Sequence, residues 1–226
     1  DPVRLRNRLH RPVYALGHGW LMPLCVAISG GIASGKSTVC AHLSQRGIAV
    51  VDADIVAREL AAPGQPALRD IATQLGARFL QADGHLDRAA LRTHVFQHPA
   101  AKQTLERILH PRIQDELIRQ SRQADTLYVA VAIPLLSPDS RQSAYGWIDR
   151  VMIVEAPEAL QIARISARDG SRPELAKAMV AAQLSFSQRL PMADDVLIND
   201  DSLVLLEDWT ERLHRRYLRM AADTAK

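Results

Sequence analysis

The sequence predicts an α/β fold of three layers, a parallel sheet between two sets of helices. Three observations carry that prediction. Apolar runs of strand length recur along the chain without polar alternation, as strands covered on both faces require. Longer amphipathic segments separate them, the spacing of right-handed crossovers between parallel strands. The first run also empties into the glycine-rich stretch Ser29-Gly30-Gly31-Ile32-Ala33-Ser34-Gly35-Lys36-Ser37-Thr38, which opens a helical pattern.

Taken in order, the strand candidates are 24–29, 48–52, 127–133, 150–155 and 195–199. The first is Leu24-Cys25-Val26-Ala27-Ile28, the second Ile48-Ala49-Val50-Val51, and the third Leu127-Tyr128-Val129-Ala130-Val131-Ala132-Ile133. Helix candidates occupy 36–46, 54–62, 66–75, 87–96, 99–109, 111–123, 157–169, 173–186 and 202–221. The run of helices between residues 54 and 123 has no strand inside it, so it reads as a helical cap inserted over the crevice at the strands' carboxyl ends.

Length and composition agree. A chain of 226 residues with 47% hydrophobic and 23% charged residues can bury a full core as one domain of ordinary size. Its two cysteines, Cys25 and Cys40, give neither a disulfide framework nor a metal cluster, and they suit a reducing cytoplasm. The net charge of +3 comes from 28 basic and 25 acidic residues. Arg4, Arg6, Arg8 and Arg11 against Asp1 account for all of it, leaving 24 of each sign after residue 21. The folded part is therefore neutral, and nucleic acid is not an expected partner.

Residues 1–23 show no periodic core pattern and are expected to be a disordered extension, with Met22-Pro23-Leu24 resembling a natural start. The apolar part of this region is broken by Gly17, His18, Gly19 and Pro23, unlike a secretory signal. No apolar run approaches the roughly 18 residues of a membrane span, so no membrane association is expected.

The stretch from Gly30 to Ser37 has the spacing G-x-x-x-x-G-K-S of a phosphate-binding loop. Its glycines let backbone N–H groups wrap phosphates, and the following helix adds its positive end. Lys36 would reach the β and γ phosphates, and the Ser37 hydroxyl would hold Mg²⁺. Val50-Val51-Asp52-Ala53-Asp54 then ends a buried strand with two carboxylates, which an extended backbone would point to one side. One could accept a proton from an attacking hydroxyl. Spacing alone leaves Asp54 equally readable as the cap of the next helix.

These residues carry a resemblance. "ISGGIASGKSTV", "VVDADIVAREL", "LERILHPRI", "IPLL", "EAPEALQIARISARDG", "AAQLS" and "ADDVLIND" occur in the order that characterises dephospho-CoA kinases, from about Leu24 to the C-terminal helix. The resemblance implies a P-loop kinase fold with a five-stranded parallel sheet, a helical acceptor-binding insertion at about 54–123 and a lid at about 164–186. The kinase core would be 24–53, 124–163 and 187–226. It implies ATP-dependent phosphorylation of the ribose 3′-hydroxyl of dephospho-coenzyme A, with Mg²⁺ and no obligate protein partner.

Residue by residue, the resemblance makes Asp54 the catalytic base and an acceptor contact. It makes Lys36 catalytic, and Gly30, Gly31, Ile32, Ala33, Ser34, Gly35, Lys36, Ser37 and Thr38 the ATP-binding loop. Arg164 and Arg168 fall in the lid, where a pair at i and i+4 can share a helix face and clamp a phosphoryl group; unaided, they read as a solvated basic face. Asn199 resembles the residue near the ATP base, though alone it reads as a turn former. His110, before Pro111, lies where the family meets its acceptor, though alone the pair reads as a helix terminator.

Two departures stand out. Ala33 occupies a position usually held by glycine. Ser137-Pro138-Asp139 follows Ile133-Pro134-Leu135-Leu136 where the family usually carries an aromatic and then a glutamate, so Asp139 or Asp52 takes over that carboxylate, or it was structural. Outside this family, the rivals are a kinase with another acceptor and a nucleotide-dependent switch. A switch would need a γ-phosphate sensor, and no glutamine or threonine is convincingly placed for one.

Overall fold

The computed structural model describes residues 23–224, and the expectations for the chain before Pro23 lie outside them. All five strand candidates form: β1 (Leu24–Gly30), β2 (Ala49–Asp52), β3 (Tyr128–Ala132), β4 (Arg150–Glu155) and β5 (Asp195–Ile198). They make one sheet in the order β2-β3-β1-β4-β5, with β1 parallel to β3 and β4, and β4 parallel to β5. Because the order changes direction around β1, the crevice of such a sheet opens at the carboxyl end of that strand, where the glycine loop begins.

The unbroken apolar runs are explained by burial on both sheet faces. Val26, Ile28, Tyr128, Ala130, Met152 and Val154 pack with Val39 and Leu43 of α1 (Lys36–Gln45) and Leu206, Leu213 and Tyr217 of α10 (Leu203–Thr224). At the start of β5, Asp195 is fully buried and cannot stay charged without partners. It accepts hydrogen bonds from Arg150 Nε at 3.0 Å, Arg216 Nη1 at 2.8 Å and the Tyr217 hydroxyl at 2.8 Å.

Packing divides the described chain into two compact units, one running to Val51 and resuming at Ser121, the other Asp52–Gln120. The second unit holds α2 (Ala53–Leu60), α3 (Pro66–Leu75), α4 (Arg88–Gln97) and most of α5 (Pro99–Gln123). Ile71, Phe79, Leu91 and Ile108 lie at the centre of its own core.

Two helix expectations are corrected, and one further helix appears. The segments 99–109 and 111–123 are one helix, α5, with Pro111 inside it. Proline cannot supply the N–H that the helix needs there and crowds the preceding turn. The Ile108 carbonyl in that turn accepts from the Arg112 guanidinium at 2.6 Å, which is itself anchored on Asp70 at 2.5 Å. The segment 173–186 ends earlier, as α8 (Pro173–Ala181), and a separate short helix, α9 (Phe186–Arg189), follows. Ser185 starts α9 through a reciprocal capping box with Gln188, which sets a helix beginning inside the expected one. A short helix α6 (Pro138–Gln142) was not expected; Ser137 caps it and Pro138 fills its first position.

Candidate active site

The loop from Gly30 to Thr38 joins β1 to α1 and is tied to its surroundings at both ends. Gly30 has φ +146°, and a Cβ there would stand 1.9 Å from the Val154 carbonyl oxygen of the neighbouring strand, so only glycine lets β1 leave the sheet. Gly35, the N-cap of α1, makes no side-chain capping bond, and no acidic residue sits in the first turn. As N-cap, Gly35 offers no side chain to the N–H groups that open α1, an arrangement suited to anions.

Lys36 turns back over this loop. Its Nζ donates to the carbonyls of Gly30 at 2.8 Å and Gly31 at 2.7 Å, which fixes the ammonium inside the curve of the loop. Ser37 is exposed beside it at the start of α1, and Thr38 is half-buried. Ala33 has φ +55°, the left-handed conformation, and is the one non-glycine residue with positive φ among the described residues. Its position thus keeps the backbone geometry that favours glycine at a cost of roughly 1–2 kcal/mol.

Two distant residues close the loop from the far side. Asn199, buried just past the end of β5, donates from Nδ2 to the Ser34 carbonyl at 2.8 Å, and its own N–H donates to the Glu155 carbonyl at 2.7 Å. Arg164, on α7 (Glu158–Asp169), donates to the Ala33 carbonyl at 3.2 Å and to the Asn199 side-chain and backbone oxygens at 3.4 Å each. Arg168, one turn later, donates to the Asp169 carboxylate at 2.7 and 2.9 Å. The hydrogen bond to Asp169 raises its pKa, and the exposed Asp169 is lowered in turn. The two arginines therefore serve different partners here.

The structure adds residues that the sequence reading passed over. Glu155 ends β4 and is buried, as is Arg189 of α9, and the two form an ion pair. Gln161 donates to Glu155 Oε1 at 2.8 Å and to the Ala156 carbonyl at 2.6 Å. A glutamate directly after the apolar run Val151-Met152-Ile153-Val154 was the available signal, because such a buried charge requires a partner. Nothing in the order of residues names Arg189 as that partner. Gln183, between α8 and α9, accepts from the Ile32 N–H at 2.7 Å.

Asp52 and Asp54 belong to the second unit and do not share one side of an extended strand, because the helix begins at Ala53. Asp52 is the cap of α2, accepting from the N–H groups of Asp54 at 2.8 Å and Ile55 at 3.2 Å. Asp54 is exposed in the first turn, and its carboxylate makes no ion pair among the described residues. His110 is exposed on α5, also in the second unit. Asp139 is exposed in the first turn of α6.

Comparison with known proteins gives a consistent result. The family model for dephospho-CoA kinase matches residues 24–204. The chain is 45% identical to the dephospho-CoA kinase of Methylococcus capsulatus over 199 residues, covering 88% of this chain and 99% of that one. It is 47% identical to the dephospho-CoA kinase of Xanthomonas oryzae pv. oryzae over 192 residues, covering 85% and 95%. Among solved structures it is similar to dephospho-CoA kinase from Campylobacter jejuni, with a TM-score of 0.67 and 25% identity over 88% of this chain and 98% of that one. It is also similar to TT1252 from Thermus thermophilus, with a TM-score of 0.70 and 30% identity over 88% and 97%.

Proposed function

From the premise that the chain belongs to the dephospho-CoA kinase family, we propose that it transfers the γ-phosphoryl group of ATP to the ribose 3′-hydroxyl of dephospho-coenzyme A. The products are ADP and coenzyme A, and the reaction is the last step of coenzyme A synthesis. The observation that carries this reading is the seat of Lys36 on the Gly30 and Gly31 carbonyls, inside a loop that opens an uncapped helix. Family membership supplies the acceptor.

In this reading the loop's N–H groups hold the phosphates, and Lys36 offsets the charge that develops between the β and γ phosphates. The guanidinium of Arg164 adds a second cation from the opposite side of the loop, and Arg168 closes with the lid, residues 164–186. Asn199 shapes the floor near the base of ATP. Residues 54–123 form the acceptor-binding insertion, with His110 among its contacts. The 3′-oxygen bonds to the γ phosphorus as the bond to the β-phosphate oxygen breaks, and the hydroxyl proton passes to Asp54. That role for Asp54 is supported by Asp52 having taken the helix cap, so that the second carboxylate is not needed for it.

A divalent cation fits as a partner of the nucleotide. Among the described residues no group of three or more His, Cys, Asp or Glu side chains could hold a metal, whereas the Ser37 hydroxyl is a hard oxygen donor at the loop's exposed end. This suits Mg²⁺, which keeps waters and phosphate oxygens rather than filling a protein cage. When bound, the ion would neutralise phosphate charge. No helix among the described residues is long and apolar enough to cross a membrane. A cytoplasmic location, which the cysteine usage suggested, belongs to the same reading.

An acceptor screen tests the reading by following ADP release with dephospho-coenzyme A, with nucleosides and nucleotides, and with water alone. ADP formation that depends on dephospho-coenzyme A, and that Lys36→Ala abolishes in a folded protein, is the expected result. Faster release with another acceptor, or with water alone, would replace the reading by one of its rivals.

A further inference from the structure

We propose that Gln183 is a positioning residue for Lys36, acting through the Gly31–Ile32 peptide; the inference rests on the kinase reading above and deepens it. That one peptide unit is held on both edges. Its carbonyl, from Gly31, accepts from Lys36 Nζ at 2.7 Å and from the Ser34 N–H at 3.3 Å. Its N–H, from Ile32, donates to Gln183 Oε1 at 2.7 Å. A peptide is planar, so its two groups turn together. Rotating the Ile32 N–H away from Gln183 would carry the Gly31 carbonyl away from the lysine ammonium. Gln183 thereby fixes one of the two carbonyls on which Lys36 is seated.

Gln183 is itself held in place rather than left on a loose loop. Its backbone N–H donates to Val180 at the end of α8 at 3.1 Å, and the capping box of Ser185 and Gln188 begins two residues later. The Leu184 carbonyl between them accepts from Arg189, whose other Nη donates to the buried Glu155 at the end of β4. Gln161 completes the carboxylate's shell at 2.8 Å. The ion pair thus anchors the turn that carries Gln183 to the strand beside β1, and any movement of this lid segment is transmitted to the lysine's seat. A glutamine suits this task because its amide oxygen accepts without placing a negative charge beside bound phosphates.

The test compares Gln183→Leu, which keeps bulk but loses the acceptor, with Gln183→Glu, which keeps an accepting oxygen. Amide exchange at Ile32, followed by NMR on the full chain, reports the hydrogen bond itself. The Leu variant should exchange this amide at least about tenfold faster, while its thermal melt stays near the native one. Its turnover should fall about tenfold and its Kd for ATP weaken about tenfold, with KM for dephospho-coenzyme A changed less than about twofold. The Glu variant should restore Ile32 protection and recover part of the turnover the Leu variant loses, while its Kd for ATP stays weaker than native because of the charge it adds beside the phosphates. Native protection of Ile32 in the Leu variant would overturn the proposal, as would an unprotected Ile32 with native turnover and ATP affinity. If the native protein fails to phosphorylate dephospho-coenzyme A, the kinase reading fails separately, and Ile32 exchange with ATP titration calorimetry still decides the role of Gln183.

Discussion

The side-chain amide of Asn199 donates to the Ser34 carbonyl at 2.8 Å, and the same Nδ2 lies 2.4 Å from where a Cβ on Gly35 would stand. The glycine at the head of α1 therefore makes the room that the asparagine past the end of β5 needs. Asn199→Ala leaves a carbonyl without its buried donor and should cost about 1–3 kcal/mol in urea unfolding. It should also raise the Kd for ATP more than that for dephospho-coenzyme A. An unchanged unfolding midpoint would remove Asn199 from the loop's support.

Ala33→Gly relieves the left-handed backbone at the one described non-glycine position that adopts it. Despite the added freedom of the unfolded chain, the variant should be more stable by about 1 kcal/mol. Equilibrium unfolding of the two proteins side by side checks this, and a destabilised variant would contradict the strain argument.

The two carboxylates after β2 should separate cleanly. Asp52→Ala removes the cap of α2 and should lower stability by about 1 kcal/mol. Asp54→Asn should leave stability within about 0.5 kcal/mol yet cut turnover about a hundredfold or more, with both substrates still bound. Native turnover in Asp54→Asn would exclude it as the base.

Stability should fall on mild acidification through His214. Burial holds its imidazole below the ordinary value of 6.5, helped by Arg46, His42 and Arg215 and opposed by Glu211. Its Nδ1 also sits 2.8 Å from the Tyr128 hydroxyl in the core. The unfolded chain therefore takes up a proton first as the pH drops, so this contribution is complete above about pH 6.5 and is lost progressively below it. His214→Gln should show a smaller drop in urea midpoint than native between about pH 7.5 and pH 5.5. An equal drop in both proteins would clear His214.

The sheet was legible because its strands are runs such as Tyr128–Ala132, buried on both faces and too short for helices. The loop was legible because its chemistry is local. The continuity of α5 was not, because Pro111 reads locally as a helix break, while contacts beside it such as that of Arg112 with Asp70, 42 residues away, form only in the fold. The Glu155–Arg189 pair and the Gln183–Ile32 bond escaped for the same reason, since their partners lie 34 and 151 residues apart and meet only through the fold. That Asp52 rather than Asp54 caps α2 was not legible until the helix start fell at Ala53.

The most direct test is the structure of the product. Native protein incubated with ATP, Mg²⁺ and dephospho-coenzyme A should yield ADP and coenzyme A in equal amounts, with phosphorus and proton NMR showing the new phosphate coupled to the ribose 3′ proton. Phosphate on any other oxygen, or ADP formed while dephospho-coenzyme A remains unchanged, would contradict the account.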